Sequence, residues 1–379
     1  MYRQNAAGTY CRVLGILCLF SVLTAAFSAR ASPANQPYVY SGLLMGADSS
    51  NWHQFGDSMD VDGDTAVIGA AGWNENGADF QGAAYVFARE QDNWTEQARL
   101  LSSQFSNYDD QFGAAVAIDG NTIAVGAPGW TRLVPNHVPY AGAVAIFTAS
   151  GALWTMQTVL SPEDLVSDSY FGYHIALEGD TLAVALPELS SYANEGVYIY
   201  RRLGEKWSLE TKLLPPPADS YGFASFVAYR QDILLVGGSG RAYVYVRNGT
   251  VWSPSGTLEP AGVPVGHELP CALDYDGQTA VIVSCDSADA EMTSAGTAYV
   301  FARDGLNWTQ QAALGPGEDY PRSVAIDGDR LVLGAIFDDS LDPAIVETGA
   351  AYLYERQGDT WHLSQTFHAP DAQTGDKFG

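Results

Sequence analysis

The chain has 379 residues, 47% of them hydrophobic, and carries 18 basic against 44 acidic side chains, a formal net charge of −26 at pH 7. A surface this acidic repels phosphate backbones and anionic lipid, which excludes nucleic acids and acidic membrane surfaces as partners. Short stretches in which Gly, Tyr, Val and Ala alternate predict many short strands rather than helices.

The first segment is not part of the fold. Arg3 and Arg12 flank the start, Val13 to Phe27 is apolar and uncharged, and Ala29-Arg30-Ala31 supplies an A-x-A cleavage site. The apolar run is too short to span a bilayer as a helix. Residues 1–31 are therefore predicted to be a signal peptide and 32–379 the mature domain, exported to the periplasm or beyond and without a membrane span. The signal holds three arginines and no acid, so its removal leaves a formal net charge of −29. Two cysteines remain after cleavage, Cys271 and Cys285, and in an oxidising compartment they read as a disulfide.

Residues 38–45 read as a lone strand, and from Phe55 onward four landmarks repeat. The first is Phe-Gly, at Phe55, Phe112, Phe171 and Phe378, with Tyr221-Gly222 as a variant. A turn follows about seven residues later, as in Asp62-Gly63-Asp64, Asp119-Gly120-Asn121, Glu178-Gly179-Asp180, Asp276-Gly277-Gln278 and Asp327-Gly328-Asp329. Then comes a Gly leading small residues alternating with aromatics, at Gly82, Gly142, Gly196, Gly240, Gly296 and Gly349. The last landmark is a tryptophan: Trp94, Trp154, Trp207, Trp252, Trp308 and Trp361. Each lies seven residues after the final aromatic of the preceding landmark. Units start near residues 55, 112, 171, 221, 269 and 320, and a partial one near 378.

A unit of this length holds four short strands joined by tight turns in which Gly takes the positive φ. One such sheet cannot bury both of its faces, whereas stacking the sheets radially does so. The phrases Phe112-Gly113 with Val125-Gly126-Ala127-Pro128, and Gly82-Ala-Ala-Tyr-Val-Phe87, resemble the FG-GAP repeat of integrin α-subunits and bacterial surface proteins. The resemblance extends over nearly all of residues 38–379. It implies an all-β fold, a β-propeller of four-stranded antiparallel blades. With the strand at 38–45 and the restart at Phe378, the count is expected to be seven blades with the last one truncated; six blades are the alternative.

FG-GAP blades often carry a D-x-D-x-D-G calcium loop, but the Asp-Gly-Asp turns here are too short to wrap a calcium ion. No cofactor is expected. The G-x-S-x-G, H-E-x-x-H and G-x-G-x-x-G motifs are absent, and the six histidines are scattered. The chain is therefore expected not to be an enzyme, with a hydrolase on the propeller axis as the alternative. Such a site would show His, Arg and carboxylate side chains converging there.

The connections between second and third strands are long and dissimilar: 72–81, 129–141, 188–195, 286–295 and 337–348. Variable loops on a rigid scaffold are where binding resides. Trp73, Asn74, Glu75, Trp130, Tyr140, Asp338 and Asp339 are the candidate ligand-binding residues, with loop packing the competing role for the two tryptophans. The expected function is an exported binding or adhesion module that meets a protein or carbohydrate ligand at a surface through its long-loop face. The further alternative is a structural segment of a larger surface protein.

Overall fold

The computed structural model describes Tyr38, residues 44–46, and residues 53–379 except 75–79, 92, 102–103, 106–108, 134–135, 187–194, 217–221, 239, 262–270, 285–295, 316–320 and 342–345. The predicted signal peptide, Glu75 and Cys285 lie outside the described residues.

The alternating segments form six four-stranded sheets, each paired in strict chain order and antiparallel throughout. The first is β1 (Phe55–Asp62), β2 (Thr65–Ala70), β3 (Ala83–Glu90) and β4 (Asn93–Leu100). The second is β5 (Ala115–Asp119), β6 (Thr122–Ala127), β7 (Ala143–Ser150) and β8 (Leu153–Leu160). The third is β9 (His174–Glu178), β10 (Thr181–Leu186), β11 (Gly196–Leu203) and β12 (Lys206–Leu213). The fourth is β13 (Val227–Arg230), β14 (Ile233–Gly238), β15 (Arg241–Asn248) and β16 (Val251–Leu258). The fifth is β17 (Ala272–Tyr275), β18 (Thr279–Ser284), β19 (Thr297–Asp304) and β20 (Asn307–Leu314). The sixth is β21 (Ser323–Asp327), β22 (Arg330–Ala335), β23 (Ala350–Gln357) and β24 (Thr360–Phe367). The first strand of each blade is innermost, and β1, β5, β9, β13, β17 and β21 touch in succession around the axis.

Three layers of contact join one blade to the next. On the inside, the acid that opens the turn in the first, second, third and fifth blades accepts a backbone N–H from the following blade. Gly120 donates to Asp62 at 2.7 Å, Gly179 to Asp119 at 2.9 Å, Gln231 to Glu178 at 2.7 Å and Gly328 to Asp276 at 2.9 Å. In the middle, the Phe of each Phe-Gly is wedged between sheets; Phe112 and Phe171 are fully buried. On the outside, every third–fourth strand pair carries a β-bulge at one place, just before the last aromatic of the third strand. The extra residue is the one three after the tryptophan, and the bulge turns its side chain toward the next blade. There Trp154 donates its indole N–H to Gln97 at 3.0 Å, and Trp252 donates to Glu210 at 3.2 Å.

The expected seventh, truncated blade is not what forms. Among the described residues the strands make six blades, the alternative count. The sheet faces that a missing blade would leave bare are covered: Val332, Ala351 and Leu353 in the sixth blade, Ile68 and Tyr85 in the first. Tyr38 packs on the sixth-blade cluster and exchanges two hydrogen bonds with the Gln365 amide, at 3.0 and 2.8 Å. Leu44 is buried in the cluster of the first blade. Tyr38 and Leu44, both ahead of β1, thus pack on the sixth and the first blade respectively. No helix among the described residues is long and apolar enough to cross a membrane.

Candidate functional site

The turns between second and third strands open on the face opposite the Asp-Gly turns. At three of the blade edges they are joined to the next segment by one repeated backbone device. A residue in the left-handed region ends the loop, and another precedes the Phe of the next Phe-Gly. The pairs are Phe80 (φ 58°) with Gln111 (φ 55°), Tyr140 (φ 49°) with Tyr170 (φ 52°), and Glu347 (φ 53°) with Lys377 (φ 52°). In each pair the later N–H donates to the earlier carbonyl, at 2.9, 3.0 and 3.0 Å. A short parallel bridge follows, Gly82 to Phe112, Gly142 to Phe171 and Gly349 to Phe378. The device therefore holds two side chains next to each other on the loop face, and their chemistry differs from junction to junction.

At the junction of the second and third blades both are tyrosines. The Tyr140 and Tyr170 rings stack, with centroids 5.7 Å apart and planes at 28°, and both are half-buried. Partial burial raises the Tyr170 hydroxyl pKa, and the nearby Asp168, Tyr140 and Asp109 charges push it the same way. Asp109 and Asp168 are themselves left-handed (φ 68° and 61°), two residues before Gln111 and Tyr170. Gln111 donates its amide to Asp109 at 2.8 Å. Tyr173, three residues after Tyr170 in the chain, is exposed, and its ring meets His174 at 4.9 Å. The third junction places a Glu347–Lys377 ion pair at 3.5 Å on the same backbone, with Gly375 at the place of the two aspartates.

The other predicted site residues fall into different settings. Trp73 is buried in the first-blade core, with the Arg99 guanidinium over its ring at 4.8 Å and His53 against its edge at 6.3 Å. Packing is its role. Asn74 beside it is half-buried. Trp130 is half-buried, spans to the preceding loop and donates its indole N–H to the Gln104 carbonyl at 3.0 Å. Asp338 is fully buried and organises its own loop: Ser340 donates to it through N–H at 2.8 Å and through Oγ at 2.6 Å, and the Tyr352 hydroxyl donates to its other oxygen. Asp339 is exposed and accepts the Glu347 N–H. Tyr140 is thus the predicted residue that enters the aromatic pair, and Asp109, Asp168, Tyr170 and Tyr173 were missed. The signal for Tyr170 and Asp168 was available in their spacing ahead of Phe171.

A second group lies on the axis. Inner-strand side chains pointing toward the next blade include Asp60 and Asp274, at matching places in the first and fifth blades, where the other four blades carry Ala. Each carboxylate takes one N–H from its own strand and one from the next blade. Val61 and Ile118 donate to Asp60 at 2.8 Å each; Tyr275 and Ile326 donate to Asp274 at 2.7 and 2.8 Å. Desolvation raises Asp60 to about 7 and Asp274 to about 6, against the pull of these N–H donors and of Arg230. Arg230 lies 3.9 Å from Glu178 at the turn end of the axis. His174 stands at the loop end, its ring 4.1 Å from Phe226, and desolvation lowers its pKa to about 4. Among the described residues no group of three or more His, Cys, Asp or Glu side chains could hold a metal ion.

Comparison with known proteins gives a family for the repeats and neighbours for the fold. The family described as FG-GAP repeat matches residues 43–87, 94–147 and 308–354. No curated protein matches the chain. Solved structures superpose over most of its length. One from Bacteroides uniformis, named as a 6-phosphogluconolactonase, has a TM-score of 0.58 at 10% identity, covering 89% of each chain. A protein from Lactobacillus plantarum scores 0.58 at 14% identity, covering 88% of this chain and 89% of its own. A periplasmic gluconolactonase from Pseudomonas aeruginosa scores 0.57 at 15% identity, covering 88% and 90%. What is shared at such identities is the fold. The two lactonase names nonetheless correct the expectation that the chain is not an enzyme. Propellers of this shape bear enzyme names, so missing sequence motifs do not place the chain outside that class.

Proposed function

Because the chain is an FG-GAP-repeat β-propeller of six four-stranded blades, we propose that it is an exported binding module that takes its ligand on the loop face at the junction of the second and third blades. The observation that carries this reading is the stacked pair Tyr140–Tyr170, two aromatic residues held left-handed at a surface. A left-handed conformation costs an L-residue roughly 1–2 kcal/mol, and strain of this kind collects at ligand sites. Export is supported by the charged start, the apolar run and the Ala29-Arg30-Ala31 site.

The test is the double substitution Tyr140→Gly, Tyr170→Gly. Glycine relieves the left-handed strain but loses the stacking, worth about 0.5–1.5 kcal/mol, so unfolding free energy is expected to stay within about 1 kcal/mol of the parent. Binding to the protein's native surface is expected to be lost. Retained binding overturns the reading, and a large loss of stability assigns the pair to packing.

A second reading is favoured by the axis carboxyls. Asp60 and Asp274, raised toward neutrality beside Arg230, are groups able to exchange protons near pH 7. Hydrolysis of a sugar lactone or glycoside by the parent, abolished in Asp60→Asn and Asp274→Asn, is its expected sign.

A further inference from the structure

We infer that the loop-face ligand is a glycan bearing free amino groups, an oligomer of aminated sugars, laid over Phe80 with Gln111 and over the Tyr140–Tyr170 pair of the next junction. The inference rests on the loop-face reading above and names the ligand class for it. Three observations converge on this class. The first is the surface on offer: Phe80 is 39% exposed at one junction, and the half-buried Tyr140–Tyr170 stack stands at the same place of the next. The C–H face of a pyranose packs on such rings, which are rigid and partly apolar.

The second observation is charge. Asp109 and Asp168 sit close enough to Tyr170 for their charges to act on its hydroxyl, and both acids occupy left-handed positions. At the third junction the same position is Gly375, which takes that conformation without cost, so the backbone there does not call for a carboxylate. The third junction also fills its paired positions with an internal Glu347–Lys377 ion pair, whereas at the second junction those positions hold uncharged rings, and the guanidinium of Arg132 in the same loop is engaged by the Pro162, Glu163 and Leu165 carbonyls. A cation placed over a tyrosine face and beside a carboxylate is attracted by both.

The third is repetition. Adjacent junctions display Phe80 with Gln111 and then Tyr140 with Tyr170 on one backbone device, so the face repeats with the blade. A ligand that also repeats is matched by it, and two weak contacts on one chain reinforce each other. The chain's formal charge of −26 favours a cationic polymer and disfavours one bearing uronate or sulfate.

Calorimetric titration of the mature protein with a fully deacetylated chito-oligosaccharide, its N-acetylated counterpart and an oligogalacturonate tests the inference. The deacetylated oligomer is expected to bind tightest, the acetylated one at least tenfold more weakly, and the uronate not at all, with affinity for the first falling as salt is raised. Asp109→Asn with Asp168→Asn is expected to weaken the deacetylated oligomer about tenfold and to leave the acetylated one unchanged. Equal binding of all three, or of none, overturns the inference. If none binds while Tyr140→Gly, Tyr170→Gly still abolishes attachment to the native surface, the ligand class falls and the loop-face reading stands. If that double variant changes neither, both fall.

Discussion

Single side chains in this propeller are decided by which strand they end on. Trp73 and Trp130 stand at matching places in adjacent blades, yet Trp73 is 3% exposed while Trp130 lies over its neighbouring loop. Trp73→Ala is therefore expected to cost about 3–5 kcal/mol in denaturant unfolding, the range for emptying a large aromatic site, and Trp130→Ala clearly less. Asp60 and Asp274 give the stability a pH dependence of definite sign. Their carboxyls rise from 3.8 in the ordinary state to about 7 and about 6 in the fold. The folded protein then holds these protons more tightly than the unfolded chain. The associated stability is fully present below about pH 4 and is lost as pH rises through 6 to 7. Unfolding free energy is expected to fall between pH 4.5 and 7.5, by on the order of 5 kcal/mol from this pair, and Asp60→Asn should flatten that slope.

At the level of the strand and its turns, the glycines divide into two kinds with different tests. Gly120 is left-handed (φ 54°) at the tip of its turn, with open space where a side chain would go. Gly126, next to last in β6, is not left-handed, but a Cβ there would run into the Gly172 carbonyl ahead of the next blade. Gly69 and Gly334 meet the Gly113 and Gly379 carbonyls in the same way. This explains why Phe-Gly and Gly-Ala-Pro travel together in the repeat: each supplies one side of a junction too close for any side chain. Gly120→Ala is expected to cost about 1–2 kcal/mol from backbone strain alone. Gly126→Ala should cost at least as much from overpacking, about 1–3 kcal/mol. It should also loosen hydrogen-exchange protection in both the second and third blades, whereas Gly120→Ala acts locally. The third, fourth and fifth blades carry Ala185, Gly237 and Val283 at this place, so the device is strongest where the repeat is most regular.

For the molecule as a whole, the fifth blade raises the question of the disulfide. Ala272 pairs with Val283, a register whose numbers sum to an odd value, so the strand ladder by itself would not put Cys271 and Cys285 on one face. Cys271, however, stands one residue before β17, its N–H donating to the Val283 carbonyl at 3.0 Å, and Cys285 lies outside the described residues. The Cys271 sulfur lies 3.6 Å from the Val283 carbonyl oxygen, over the end of β18. We expect the bond to form in the exported protein. The unreduced mature chain should show no free thiol by alkylation and mass measurement, and Cys271→Ser should cost up to about 3 kcal/mol, as for a loop of this size. Free thiols in the native exported protein would refute it.

Much of this was readable from the chain, because a propeller blade is specified locally. The Phe-Gly, Asp-Gly, Gly-aromatic and tryptophan landmarks each mark a turn, a close approach or a buried ring within one unit, and the seven-residue step to each tryptophan is the third-to-fourth-strand turn written in sequence. The family resemblance and the all-β class follow from those local signals. The blade count did not, since whether the residues ahead of β1 make a spare strand or a packing contact depends on the sixth blade, more than 300 residues away. The same holds for the site. Tyr140 and Tyr170 meet across a blade junction, and Asp60 and Asp274 face one axis from the first and fifth blades, so spacing within a unit marks the positions but not what each side chain meets. Trp73 and Asp338 looked like loop residues open to a ligand, and only the packing of neighbouring elements around them decided that they were core. Burial and convergence belong to several blades at once, and a repeat read one unit at a time contains neither.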